Sequence, residues 1–254
     1  MELSLTWEML TFLFFIAIAA GFVDTIAGGG GLIALPALLI VNVPPLQALA
    51  TNKLQGTFGT LTSSAIMLSK KIVTWQGLRF AFLTSLIGSV LGTIIVHFVN
   101  TDLLMLLIPI VLISIALYFG LTKQVGLTEK PPKVSQKKYE LIIVPIIGFY
   151  DGFFGPGTGS LFTFANVALM GRTMIKATAN AKCLNFASNI ASLVIFIVSG
   201  HISWIIGGVM IVGQVIGARL GSHIVLNHGQ QWIRPLIVLI CILMCIKLIV
   251  EHHI

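Results

Sequence analysis

Gly21-Phe-Val-Asp-Thr-Ile-Ala-Gly-Gly-Gly-Gly-Leu-Ile-Ala-Leu-Pro36 carries an apolar run past a carboxylate, breaks it at four consecutive glycines and resumes it. Each glycine costs a helix interior roughly 1 kcal/mol against alanine, so Gly28 to Gly31 predict an interruption where backbone N–H and C=O groups come free. In hydrocarbon such groups are tolerated only against protein or a water-filled cavity. The pattern returns in Gly148-Phe-Tyr-Asp-Gly-Phe-Phe-Gly-Pro-Gly-Thr-Gly-Ser-Leu161, again Gly-Phe-x-Asp followed by a glycine-rich break. Short interrupted segments at matching places of two halves point to a transporter's substrate site.

Composition sets the solvent. Of 254 residues, 57% are hydrophobic and 9% charged, and the mean hydropathy is +1.03, far from the roughly 25% charged of an ordinary soluble domain. The chain reads as a polytopic membrane protein. Its first eight residues hold two acids and no base, and no small-residue cleavage site follows the first apolar run. That run is therefore expected to be a mature span and not a leader. The net charge of +7 is dispersed over short loops without clustered aromatics, which fits positive-inside topology and predicts no nucleic-acid partner. Cys183, Cys241 and Cys245 lie in apolar runs without histidines at ligand spacing and read as small packing residues.

Apolar runs near the roughly 20 residues that cross a bilayer cover 10–27, a short 32–43, then 46–68, 73–99 and 103–121, and after a linker 141–154, a short 160–170, 177–199, 202–226 and 233–250. The linker 122–138 contains Pro131-Pro132 and five lysines and reads as a mobile cytoplasmic loop between repeats 1–121 and 139–254. The repeats align residue by residue. At an offset of 127, Gly21, Phe22 and Asp24 fall on Gly148, Phe149 and Asp151. After two inserted residues the offset is 129, and Lys53, Trp75, Gly88 and Gly92 fall on Lys182, Trp204, Gly217 and Gly221.

Loop charge predicts how the repeats face. Lys70, Lys71 and the linker lysines follow the third and fifth segments of the first half. In the second half Arg172, Lys176 and Arg234 occupy the other set of loops, and the turn 200–203 has no Lys or Arg. Exchanged charges mean opposite orientation. The expected fold is thus all-α, two inverted repeats, each a Gly-broken helical pair plus three full spans, with both termini outside. Lys247 counts against this.

A charge at the centre of a membrane helix costs about 2.5–3.5 kcal/mol on insertion scales, so Asp24, Asp151, Lys53 and Lys182 imply pairing or function. The aspartates are candidates for proton coupling; equally, they cap the loop amides or pair with the lysines to fix the fold. Each lysine heads a polar stripe at helical spacing, Lys53, Gly56, Thr60 and Ser64 in one half and Lys182, Asn185, Asn189 and Ser192 in the other. Half-helices starting at Leu32 and Ser160 would aim free N–H groups and positive dipole ends at the breaks. Two such ends and two lysines make an electropositive lining for an anion, with Asn52, Thr51, Asn180 and Asn185 as hydrogen-bond donors. The candidate substrate residues are therefore Gly28, Gly29, Gly30, Gly31, Asn52, Lys53, Gly155, Gly157, Gly159, Asn180, Lys182 and Asn185. Gly88-x-x-x-Gly92 and Gly213-x-x-x-Gly217-x-x-x-Gly221 read as close helix contacts. No phosphate loop, dinucleotide fingerprint, metal cluster or nucleophile triad is present in the sequence, so neither catalysis nor a cofactor is expected.

The block Gly21 to Gly31, with Ala48-Leu-Ala-Thr-Asn-Lys53 and Asn180-Ala-Lys182, resembles the sulfite exporter TauE/SafE-like family over nearly the whole chain. The resemblance implies an inner-membrane, multi-pass transporter that exports sulfite, sulfoacetate or another organosulfonate. It favours a substrate between the duplicated halves, at Gly28 to Gly31, Asn52, Lys53, Gly155 to Gly159 and Lys182. Pro156 and Thr158 depart from a perfect copy of the first break. The alternatives left open are an anion channel with the same lining, a membrane-embedded enzyme and a non-transporting scaffold.

Overall fold

Residues 6–98 and 126–228 are described by a computed structural model; the expected spans 103–121 and 233–250 lie outside them. The first half supplies α1 (Trp7–Ala27), α2 (Gly30–Ile40), α3 (Pro45–Ser69) and α4 (Trp75–Val96). In the second, a turn Gln136–Lys138 and a π-helical stretch Tyr139–Ile143 run into α5 (Val144–Phe153), followed by α6 (Thr158–Ala168), α7 (Met174–Val198) and α8 (Trp204–His228). There is no strand among the described residues. The helices α1, α4, α7 and α8 are long and apolar enough to cross a membrane, so the chain is an all-helical multi-pass membrane protein.

Local chemistry sets the boundaries. Thr6 caps α1 by accepting the Met9 N–H, and Pro45 opens α3 where its missing N–H costs nothing. The first break is narrower than expected: only Gly28 and Gly29 lie outside helix, and Gly30 and Gly31 form the first turn of α2. Gly28 ends α1 at φ 78°, its N–H returning 2.7 Å to the Asp24 carbonyl. Likewise α6 begins at Thr158, two residues before the expected Ser160. In that position glycine is a default residue for a helix entry or exit of left-handed backbone, as at Gly157 with φ 82°.

Packing repeats contact for contact under the two offsets. A Cβ on Gly21 would lie 2.4 Å from the Gln214 carbonyl oxygen, and one on Gly148 would lie 2.4 Å from that of Ser85, which is Gln214's counterpart. Gly88 and Gly217 press on the carbonyls of Pro145 and Ile18 in the same matched way, and Gly92 and Gly221 on those of Phe149 and Phe22. Thus α1 packs along α8, and α4 along α5, each pair crossing from one half to the other. Hydrogen bonds from Ser85 to Leu184, Ser89 to Ser188 and Thr93 to Ser192 lay α4 along α7 in the same sense. The central helices α3 and α7 pass each other with Lys53 beside Asn189 and Ser64 beside Cys183. These two carry more of the buried polar side chains than any other described helix, whereas α4 and α8 turn Leu83, Ile87, Leu91 and Ile205, Val212, Leu220 outward. In the first half α2 folds back along α1, its Ala34, Ala37 and Leu38 buried against Leu13, Ala17 and Ala20.

The described part of the linker corrects one expectation. Instead of moving freely it is pinned to the α6–α7 turn, where Lys130 and Lys133 donate backbone N–H bonds to Gly171 and Leu169, Met174 donates to Gly126, and Lys176 pairs with Glu129 at 2.7 Å.

Gly88→Ala and Gly217→Ala should each lower the thermal unfolding midpoint in detergent, by roughly 1–3 kcal/mol of overpacking. Gly208→Ala, where nothing lies within 4 Å of an added Cβ, should leave the midpoint unchanged or higher.

Candidate functional site

Two crosswise ion pairs occupy the centre of the bundle. Lys53, in the third turn of α3, places Nζ 2.8 Å from Asp151 Oδ1 near the end of α5, and Lys182, in the third turn of α7, places Nζ 3.0 Å from Asp24 Oδ2 near the end of α1. Each half's ammonium is thus neutralised by the other half's carboxylate. Both lysines and Asp151 are at most 2% exposed, and Asp24 is 7% exposed. The pairing follows from cost: two ammonium groups this buried without counter-ions would forfeit several kcal/mol of hydration apiece. The lining is therefore not the electropositive surface expected from the lysines alone; the four charges sum to zero.

The two helix breaks meet beside these pairs. A Cβ on Gly28 would lie 2.1 Å from the Gly159 carbonyl carbon, so only glycine allows the backbones to cross. Ser160 ties them by donating its N–H to the Gly28 carbonyl at 3.3 Å and its hydroxyl to that of Ala27. Asp24 Oδ1 accepts the Gly30 N–H at 3.2 Å, so this carboxylate caps α2 as well as pairing with Lys182. Both bland roles proposed for Asp24 are therefore filled. The same ammonium also donates to Asp24's own carbonyl.

A cavity of about 30 Å³ lies between the breaks. A water needs roughly 10–15 Å³ of such volume, so the space holds about two waters. Of the expected residues, Gly28, Gly31, Asn52, Lys53, Gly155, Gly157 and Asn185 line it, together with Asp24 and Asp151. Gly29 serves as N-cap of α2, Gly30 gives its N–H to Asp24, and Gly159 is packed on Gly28. Lys182 is engaged by Asp24 and does not line the cavity. Asn180 is also absent from the lining, its amide donating 2.8 Å to the Lys176 carbonyl. Sequence reasoning missed Gln214, which lines the cavity from α8; its only signal was an amide alone in the apolar stretch Ile205 to Ala218. Gly56 and Asn189 also line it, as the polar stripes suggested without naming them as site residues.

The sequence profile of the sulfite exporter TauE/SafE family matches residues 13–248. The chain belongs to that family. "Probable membrane transporter protein YfcA" of Escherichia coli strain K12 is 42% identical over 245 residues, covering 96% of this chain and 91% of that protein. A "Probable membrane transporter protein" of Haemophilus influenzae is 40% identical over 96% of both chains, and YunE of Bacillus subtilis, also named a probable membrane transporter, is 25% identical over 93% of this chain. No solved structure matches. The chain is thus a TauE/SafE-family membrane transporter, and the crosswise pairs lie within the matched stretch.

Asp24→Asn strips Lys182 of its counter-ion and should cost about 3–5 kcal/mol of stability. Asp24→Asn combined with Lys182→Met should recover much of that loss. A double-mutant cycle of unfolding midpoints in detergent checks the coupling.

Proposed function

We propose that this TauE/SafE transporter exports a small anion, either sulfite, sulfoacetate or another organosulfonate, across the cell inner membrane by alternating access. The observation that carries the reading is the site built from both halves at once, where two crossed helix breaks and two crosswise ion pairs surround one small polar cavity. In a carrier such a site is opened to either side in turn by moving one half against the other around the crossing at Gly28 and Gly159. On opening, an anionic oxygen exchanges with Asp151 for the Lys53 ammonium. Asn52, Asn185 and Asn189 offer amide donors, and the N-terminus of α6 adds its dipole. The short amide donors around a single ammonium favour small oxyanions over larger solutes.

The repeats are inverted on this reading. Support comes from the contact register: α1 and α3 run in the sense of α8, α5 and α7 run in the sense of α4, and Lys53–Asn189 with Ser64–Cys183 set α3 and its counterpart α7 in opposed senses. The 70–74 turn, the 126–135 segment and Arg172 then share one end of the bundle, the cytoplasmic one by their Lys and Arg content. Residues 6–8, 41–44 and 200–203 share the outer end, and 122–138 is the cytoplasmic linker.

Proteoliposomes loaded with sulfite or sulfoacetate should show saturable counterflow, reduced at least tenfold by Lys53→Met; conductance without counterflow would instead favour a channel. Glu8→Cys should react with an impermeant maleimide from the outside of cells and Lys70→Cys only in inside-out vesicles. Labelling of both from one side would end the inverted arrangement.

A further inference from the structure

Duplication gave each half the same carboxylate and the same ammonium, yet the two copies use them unequally. Both oxygens of Asp24 are engaged, Oδ1 by the Gly30 N–H at 3.2 Å and Oδ2 by Lys182 at 3.0 Å. Asp151 holds Lys53 through Oδ1 at 2.8 Å, but its Oδ2 is buried and takes no hydrogen bond from any described residue. Lys53 itself is shared with the Asn189 amide oxygen at 3.2 Å. The difference traces to the second break. Pro156 has no N–H to offer, and the Thr158 N–H and hydroxyl both turn to the Gly155 carbonyl, at 3.2 and 2.6 Å. Asp151 therefore has no counterpart of the amide cap that holds Asp24, and Lys53 and Asp151 both line the cavity. An ionised carboxylate with a bare buried oxygen is held in that state by its single counter-ion.

We infer that Asp151 is a proton-binding site linked to anion binding, while its twin Asp24 is a structural clamp. The inference rests on the anion reading above. The substrate and Asp151 compete for one ammonium. When the anion takes Lys53, Asp151 loses its counter-ion inside a buried site and takes up a proton from water on oxygen; when the anion leaves, the O–H bond breaks, the proton returns to water and the pair re-forms. The only covalent bond made or broken is that O–H bond, and the site's charge is unchanged, Lys⁺/Asp⁻ becoming Lys⁺/anion⁻ with a neutral carboxyl. A monoanion and a proton therefore move together, without net charge. The other groups around Asp151 are committed elsewhere. Asp24 lies beyond Lys53 on α1 with Lys182 of α7 attached to it, and the Tyr150 hydroxyl donates 2.8 Å to the Pro156 carbonyl. From α4 come the Ser89 and Thr93 hydroxyls, with His97 beyond them bonded to the Thr93 carbonyl at 2.7 Å.

The test is titration calorimetry of the full-length protein in nanodiscs with methanesulfonate, a monoanion whose charge is fixed, run in buffers of different ionisation enthalpy. Wild type should take up about one proton per anion, and its Kd should rise about tenfold per pH unit on the alkaline side. Asp151→Asn should bind with no proton uptake and a flat pH profile, and His97→Gln should keep the wild-type count. Binding without proton uptake in wild type, or uptake retained in Asp151→Asn, overturns the inference while leaving the anion site standing. Should Asp151→Asn not fold, infrared difference spectra of wild type decide: a protonated-carboxyl band must appear on adding methanesulfonate, and its absence overturns the proposal. Failure of wild type to bind methanesulfonate, sulfite or sulfoacetate at any pH brings down the anion reading itself, and this inference with it.

Discussion

Four charges buried in a membrane protein have to cancel, and here each cancels against the other half of the chain. Lys53 with Asp151 and Lys182 with Asp24 do more than neutralise; they fix which helices face one another and bring both breaks to a single place. Replacing either pair by well-packed apolar side chains would cost little in stability on general grounds. What such a replacement could not supply is an ammonium that can change partners. Burial of both charges, close to a cavity that holds about two waters, makes the site sensitive to the arrival of one more charge.

Around this constraint the remainder is mostly close packing. Gly88, Gly92, Gly217 and Gly221 let helix backbones from different halves touch, and Gly28 and Gly159 do so at the crossing itself. Without a hydrophobic drive between helices in lipid, such contacts and the interhelical hydroxyl bonds of Ser85, Ser89 and Thr93 carry the association. The polar stripes of α3 and α7 are buried by this arrangement, which is why α3 can be 25 residues long without being apolar enough to rank as a span on its own.

The repeated pattern, the two breaks, the close-packing glycines and the placement of four charged residues inside the helices were legible in the sequence, because each rests on local residue chemistry or on a repeated spacing. The choice between lysines open to solute and lysines paired with aspartates was not, since it depends on which half packs on which; spacing along the chain puts Lys182 far from Asp24. The fate of Asn180 was hidden for a related reason: a helical stripe tells which face is polar, but not that this amide bonds the carbonyl one turn back. Gln214 was overlooked because a single amide in an apolar helix has no period to betray it. The linker was misjudged from Pro131-Pro132 and its lysines, whose composition says nothing of the carbonyls of Gly171 and Leu169 waiting opposite.

The crossing of partners between halves also bears on how the chain is made. Asp24 leaves the ribosome 158 residues ahead of Lys182, which at ordinary elongation speeds is roughly ten to thirty seconds. Through that interval Asp24 has only groups of its own half beside it, the Gly30 amide and, farther off, Lys53, and Lys53 in turn lacks Asp151. A chain whose translation stops between the halves therefore holds one carboxylate and one ammonium without the partners each has in the complete fold.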